Sequence, residues 1–277
     1  MAEVFVQNRL AAIGICIVLF ALAFCFVAPL VYRTDQIHTN LLEVNVPPRV
    51  DHVLGTDEVG YDELGRLMYG GQLSLEVGIA AAALATAIGA IWGTIAGYAG
   101  GLPDAVMMRL VDGMMSIPSL FFLMFVASLL PHGLNRVVLI LVVAAFAWLG
   151  PARLVRGETL SLRVREYVHA ARVMGATGPD IVLRHIAPNA IGTIVVAATF
   201  QVADAIVTVA ALSYLGLGIP PPETDWGGML AQGTTYTLAG FWWLILPPGT
   251  AIVLTVIAIN FIGDALRDAF GVRLQRR

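Results

Sequence analysis

The sequence predicts an all-α polytopic membrane protein with six transmembrane helices, and three observations predict it. Of the 277 residues, 58% are hydrophobic and only 13% charged, where a soluble domain carries about a quarter charged. The charge-free runs are long: Leu10–Tyr32, Val77–Pro103, Gly113–Asn135 and Val137–Ala152, then two stretches interrupted only by Asp204, Glu223 and Asp225. Most exceed the ~20 residues that cross a hydrocarbon core. Finally, the arginines cluster between particular runs, as the short loops of a multi-pass chain require.

The expected spans are 10–32, 75–99, 106–130, 136–157, 190–217 and 240–263. The first is not read as a secretory signal, because the run is 23 residues long, lacks a small-x-small cleavage pattern and is followed by further spans. The fourth has only sixteen uncharged residues, so Arg136 and Arg153 are expected to snorkel from its ends toward the headgroups. In the sixth, Pro247–Pro248 removes two backbone donors and predicts a kink or a late start.

Charge assigns the sides. Residues 153–184 hold six arginines against three acids, and the tail from Asp264 holds four against two, so both are expected in the cytoplasm. Residues 33–76 hold three arginines against eight acids, and 219–239 hold two acids and no arginine, so both are expected outside. Six spans then place both termini in the cytoplasm. The chain thus reads as one transmembrane domain over 1–277, with extracytoplasmic loops at 33–76 and 219–239 and a cytoplasmic loop at 153–189. Within the first outer loop, Leu54–Gly71 reads as a capped amphipathic helix with Leu64, Leu67 and Met68 on one face, lying along the membrane surface.

Composition excludes several chemistries. All sixteen basic residues are arginines and there is no lysine. A Walker phosphate loop and a Schiff base both need one, so any ATP must be hydrolysed by another chain. Cys16 and Cys25 lie inside the first span and read as small apolar residues. His38, His52, His132, His169 and His185 show no metal-ligand spacing. With no nucleophile elbow and no carboxylate pair in a pocket-forming pattern, neither a catalytic residue nor a cofactor is expected in this chain.

Three groups of residues remain as candidates for function. Gly89, Gly93 and Gly97 leave one face of the second span almost bare, so that another helix, of this chain or of a partner subunit, can pack closely. Asp204 sits near the middle of the fifth span with Gln201 and Thr208 on its face. A carboxylate there either looks into a water-filled path, touching a substrate amine or a gate, or is satisfied by a neighbouring helix. The third group lies in the arginine-rich loop, which reads as two short helices around a Gly175–Pro179 corner. Tyr167, Ala170, Ala171 and Met174 share a face, Glu166 and Arg172 flank it, and Pro188 suits the start of the fifth span.

The spacing of Ala170, Ala171, Gly175 and Pro188 resembles the coupling loop of permease subunits in ATP-binding cassette importers. That pattern runs Glu-Ala-Ala, three residues, Gly, nine residues, Ile-x-Leu-Pro; here His169, His185 and Ala187 replace its Glu, Ile and Leu. Separated segments narrow the resemblance to the dipeptide, oligopeptide and nickel branch, in its "C" permease type. These are Leu54–Asp57 through Gly70, Met108–Asp112 with Ile117–Pro118, Ala211–Gly218 with Pro220–Pro222 and Trp226–Gly227, and Asn260–Ala269.

The resemblance implies a type I importer permease in the bacterial cytoplasmic (inner) membrane, paired with a homologous second permease. It further implies two cytoplasmic ATPase subunits that bind ATP and Mg, an extracytoplasmic peptide-binding protein, surrounding lipid and no nucleic acid. The helix over 166–178 would dock on one ATPase, and short peptides would be the cargo. Two alternatives stand beside it: a permease for nickel or a nickel chelate, and an ATPase-independent secondary transporter or channel. The latter calls for inverted repeats or a relay of buried charges.

Overall fold

The computed structural model describes residues 8–130 and 134–275, with side chains as far as Phe270. His132, residues 1–7 and residues 276–277 lie outside this range. Helix α1 spans Arg9–Val31, with a wide π turn at Ala23–Val27. It is followed by α2 (Glu63–Ala99), α3 (Gly101–Met115), α4 (Ser119–Ser128), α5 (Arg136–Ala147) and α6 (Leu149–Leu162). The rest comprises α7 (Glu166–Val173), α8 (Gly178–Tyr214, with a π turn at Val182–Ile186), α9 (Trp226–Thr235) and α10 (Leu246–Gln275). Among the described residues, four helices are long and apolar enough to cross a bilayer, and the bent pairs α3/α4 and α5/α6 raise the number to six.

Helix α2 is the axis of the bundle. It packs along α6, α8 and α5, while α10 lies between α8 and α1. The glycine-bare face of α2 turns inward on α6: a Cβ at Gly93 would stand 2.3 Å from the Ala152 carbonyl oxygen, and one at Gly97 would stand 2.8 Å from Thr159 Cβ. At Gly89 it would meet the Trp148 carbonyl oxygen at 2.6 Å. The absent side chains let the two backbones touch, which is how helices associate where no hydrophobic effect drives them together. A core of Val77, Ala81, Leu139, Val143, Val209 and Leu212 joins α2, α5 and α8.

The expected elements need five corrections. Leu54–Gly71 is not a surface helix: Gly55 (φ +77°) and Gly60 (φ +83°) adopt left-handed conformations in a folded loop, and α2 begins only at Glu63. Asp62 caps it, its Oδ1 accepting from the Gly65 amide at 2.9 Å. Arg66, Leu67 and Met68 are buried within the fold.

The third expected span is two helices at 81°. Pro118 has no amide hydrogen and pushes Ile117 out of the helical region, while the Ser116 hydroxyl donates to the Gly113 carbonyl at 2.6 Å. The fourth bends by 45° at Trp148, three residues ahead of Pro151, and continues to Leu162. Its end arginines are half-exposed and paired with acids of neighbouring segments. Arg136 pairs with Glu76 at 2.9 Å and Glu223 at 3.0 Å, and Arg153 pairs with Asp112.

The second short helix expected after the Gly-Pro corner is the first turn of α8. Pro188 therefore lies inside this helix, just after the π turn, where Ala187 N pairs with the Val182 carbonyl five residues back. Finally, 219–239 is not merely a loop. It holds α9, whose Trp226 is buried against Gly71 with its indole N–H donating to the Leu67 carbonyl at 3.0 Å. The late start predicted for the sixth span is found: Pro247 and Pro248 occupy the first turn of α10.

Candidate functional site

Three regions carry the candidate residues, one at each end of the bundle and one between them. At the end holding residues 163–177, α7 is short but firmly built. Glu166 in its first turn and Arg172 in its last complement the helix dipole. Gly175 (φ +87°) closes it: the Ala176 amide donates to the Ala171 carbonyl at 3.0 Å and the Gly175 amide to the Arg172 carbonyl at 3.1 Å. This is a complete Schellman cap, which needs a residue at ease in the left-handed region. A Cβ at Gly175 would meet nothing within 4 Å, so conformation and not crowding is what calls for glycine there.

Val168 and Ala171, three residues apart, form the inner stripe of α7 and pack on Leu162, Ile181, Ile186 and Ala190. This separates Ala171 from the face on which sequence spacing placed it beside Tyr167, Ala170 and Met174. The outer face carries Glu166, Tyr167, Ala170 and Arg172, all exposed, and beyond them Val173 and Met174, 88% and 81% exposed. The Tyr167 ring lies beside His185, with centroids 6.4 Å apart.

Between the two ends, a half-open cavity of about 370 Å³ lies on the side of the bundle where the α3/α4 break and the α5/α6 bend face the middle of α8, with Met115, Ser119, Gly150, Asp204 and Val207 of its lining exposed. Gln201, Asp204 and Thr208 line it from α8, Ser119 from the start of α4, and Phe146 and Gly150 from either side of the α5/α6 bend. Asp204 is exposed to this space, whereas Gln201 and Thr208 are half-buried. Irregular backbone at this depth is tolerated where it borders a cavity.

At the opposite end, the 33–62 loop is pinned to the bundle by charged groups that sequence reasoning did not connect. His52 Nδ1 lies 3.0 Å from Asp62 Oδ2 and its Nε2 lies 3.3 Å from Glu43 Oε2; the Tyr32 hydroxyl donates to Asp62 Oδ2 at 3.0 Å. Burial, reinforced by that carboxylate, pushes the Tyr32 phenol up to about 12. Burial also raises Asp57 and Glu58 above the usual carboxylate range, while His52 and Arg49 hold Glu43 below it. Arg66 reaches from this cluster to the Pro222 carbonyl at 2.9 Å. It also borders a second cavity, of about 320 Å³, with Gln72, Arg136 and Glu223. Leu54–Gly71 and Pro220–Gly227 were each conspicuous in the sequence, but nothing in their local pattern says that they meet.

Among the described residues, no three His, Cys, Asp or Glu side chains come together as metal ligands.

Comparisons with known proteins agree on one family. Residues 89–276 match the model of the binding-protein-dependent transport system inner membrane component, and residues 1–48 match the N-terminal transmembrane domain of oligopeptide transport permease C. The chain is 39% identical over 272 residues to the oligopeptide transport system permease protein OppC of Bacillus subtilis, covering 98% of this chain and 88% of that one. It is 38% identical over 270 residues to the dipeptide transport system permease protein DppC of the same organism, covering 98% and 84%. A putative peptide permease protein of Brucella suis is 43% identical over 277 residues, covering 99% and 90%.

Proposed function

The chain belongs to the family of binding-protein-dependent transport system inner membrane components, and from that premise we propose that it is the "C"-type permease of an ATP-driven importer of short peptides. It sits in the bacterial cytoplasmic membrane with both termini and α7 in the cytoplasm, as its arginine distribution favours. A homologous second permease completes the translocation path. Two ATPase subunits supply ATP binding with Mg and hydrolysis, and an extracytoplasmic binding protein delivers the peptide to the face carrying residues 33–62 and 219–225.

One observation carries the reading: α7 is anchored by Val168 and Ala171 while its other face presents Tyr167, Ala170, Val173 and Met174 outward. A helix held this way passes a push from a partner into α8, whose first turn packs on its inner stripe. Closing of the ATPase pair would move α7 and α8 together and exchange the openings of the path by near-rigid motion. The path itself runs past Gln201, Asp204 and Thr208. A chain without lysine fits this division of labour, since it needs a mechanical contact and no phosphate loop.

The test is uptake of a labelled dipeptide into proteoliposomes containing the chain, its sister permease and both ATPases, with binding protein outside. Uptake dependent on ATP and on every subunit is expected. Accumulation of nickel without dipeptide, or conduction by the chain alone, would reverse the assignment.

A further inference from the structure

The cavity at the α3/α4 break is more than a widening of the path. We propose that it is a recognition subsite for a protonated amine, the α-ammonium group of a peptide in transit, with Asp204 as its counter-charge. The inference rests on the reading of the chain as a peptide permease, and it names the chemical group that the path selects.

Charge accounting leads to it. Several acids of the bundle have arginines: Asp104 takes Arg156 through two hydrogen bonds of 2.6 Å, Asp112 takes Arg153, and Glu76 and Glu223 share Arg136, while Asp225, without one, caps α9 through the Gly227 and Gly228 amides. Asp57 has Arg66 at 3.6 Å. No cation stands among the residues lining the cavity, and Asp204 is the one charged side chain among them. An ionisable group at membrane depth is costly to keep and persists where something it binds compensates it.

The surrounding groups say what that something is. Gln201, Asp204 and Thr208 follow one another along a single face of α8 at spacings of three and four residues, and Ser119 lies on the facing wall. All four offer oxygen acceptors. An ammonium group carries three donors and one positive charge, so it can engage the carboxylate and still satisfy neutral oxygens beside it. The remaining wall, with Met115, Leu123, Val143, Phe146 and Val207, is apolar and suits an uncharged side chain next to that amine. A peptide carboxylate finds no positive partner here, so the site reads the amino end.

The experiment uses the complete importer in proteoliposomes. Dialanine and N-acetyl-dialanine are each supplied on saturating binding protein, and uptake is compared for the unaltered chain, Asp204→Asn and Asp204→Glu. Because the delivering protein is the same throughout, a change in the ratio of the two uptakes arises in the permease. The ratio of free to acetylated dipeptide is expected to fall about tenfold in Asp204→Asn, as for loss of a charge-assisted hydrogen bond, and to be largely kept in Asp204→Glu.

An unchanged ratio in Asp204→Asn would overturn the proposal. So would loss of the sister permease on co-purification of that variant, which would assign the carboxylate to a cation across the subunit interface. A fall in both uptakes by the same factor would make Asp204 part of a gate and also overturn the amine reading. If the unaltered importer carries neither dipeptide, the peptide assignment itself falls and takes this inference with it.

Discussion

Arg66 Nη1 donates to the Pro222 carbonyl at 2.9 Å, tying the first turns of α2 to the segment that enters α9. The same guanidinium lies 4.7 Å over the Tyr61 ring and has its Nε 3.6 Å from Asp57 Oδ2. At 3% exposure, the arginine side chain is an interior charge that neutralises another. Arg66→Met keeps much of the stem but strands Asp57, so a loss of roughly 3–5 kcal/mol is expected. The thermal midpoint of the purified complex measures it, and adding Asp57→Asn should restore part of the loss. A midpoint unmoved by Arg66→Met would mean that the outer loop is held by other contacts.

Gly93 tests the packing of α2 on α6. Its added Cβ would press on two backbone atoms, the Ala152 oxygen at 2.3 Å and the Arg156 nitrogen at 2.8 Å, and neither can swing aside as a side chain would. Gly93→Ala is expected to cost about 1–3 kcal/mol by overpacking. Gly157, inside α6, has open space where a Cβ would stand. Gly157→Ala should therefore stabilise by about 0.5–1 kcal/mol through helix propensity alone. Opposite signs in a detergent melting experiment support the close contact; equal signs refute it.

Asp225 supplies a pH dependence. Its Oδ1 caps α9 by accepting from the amides of Gly227 and Gly228 at 2.8 and 3.1 Å, yet burial raises its pKa above the ordinary 3.8. A raised carboxyl binds its proton more tightly in the folded than in the unfolded chain. Stability therefore falls as pH climbs from about 3.8 through the raised value, then levels off. Asp225→Asn retains the capping oxygen and removes the charge. Its melting advantage over the unaltered chain should be smallest at the acid end and grow with pH to a plateau. An advantage that shrinks with rising pH would contradict burial as the dominant cause.

The spans were legible because an apolar run in a bilayer has few alternatives to a helix. The breaks in the third and fourth spans were not expected, although each lies at or near a proline. Pro118 and Pro151 are plain in the sequence, but whether a proline kinks a helix, parts it by 81° or sits inside it, as Pro188 does, depends on what packs on the freed carbonyls. The outer loop was misjudged for a related reason. Leu64, Leu67 and Met68 do repeat on one helix face, but Gly55 and Gly60 hold the preceding chain in turns that fold back on Val46 and Asn40. Local periodicity registers the helix and misses the loop that covers it. In α7 the spacing anticipated a short helix but placed Ala171 outward, because only the position of α8 decides which stripe of an eight-residue helix is the inner one. Asp204 stood out from the sequence alone, since a lone acid in an apolar run is conspicuous; the cavity beside it depends on breaks in two other segments.

Gly175 is the position at which coupling through α7 can be tested with least ambiguity. Its amide and that of Ala176 close the helix on Arg172 and Ala171, and its φ of +87° is one that a side chain with a Cβ adopts only at a cost of about 1–2 kcal/mol. With nothing within 4 Å of an added Cβ, a substitution there does not jostle a neighbour inside the chain. Gly175→Asn, which tolerates the left-handed region, should preserve the cap and leave peptide-stimulated ATPase activity close to that of the unaltered importer. Gly175→Val should unwind the last turn of α7, displace Val173 and Met174 from the outer face, and lower both stimulated ATPase activity and uptake several-fold. The order Gly, then Asn, then Val follows from backbone conformation alone, so a series that instead tracked side-chain volume would point to crowding by a docked partner. Full stimulation in Gly175→Val would mean that the ATPases do not work through this helix.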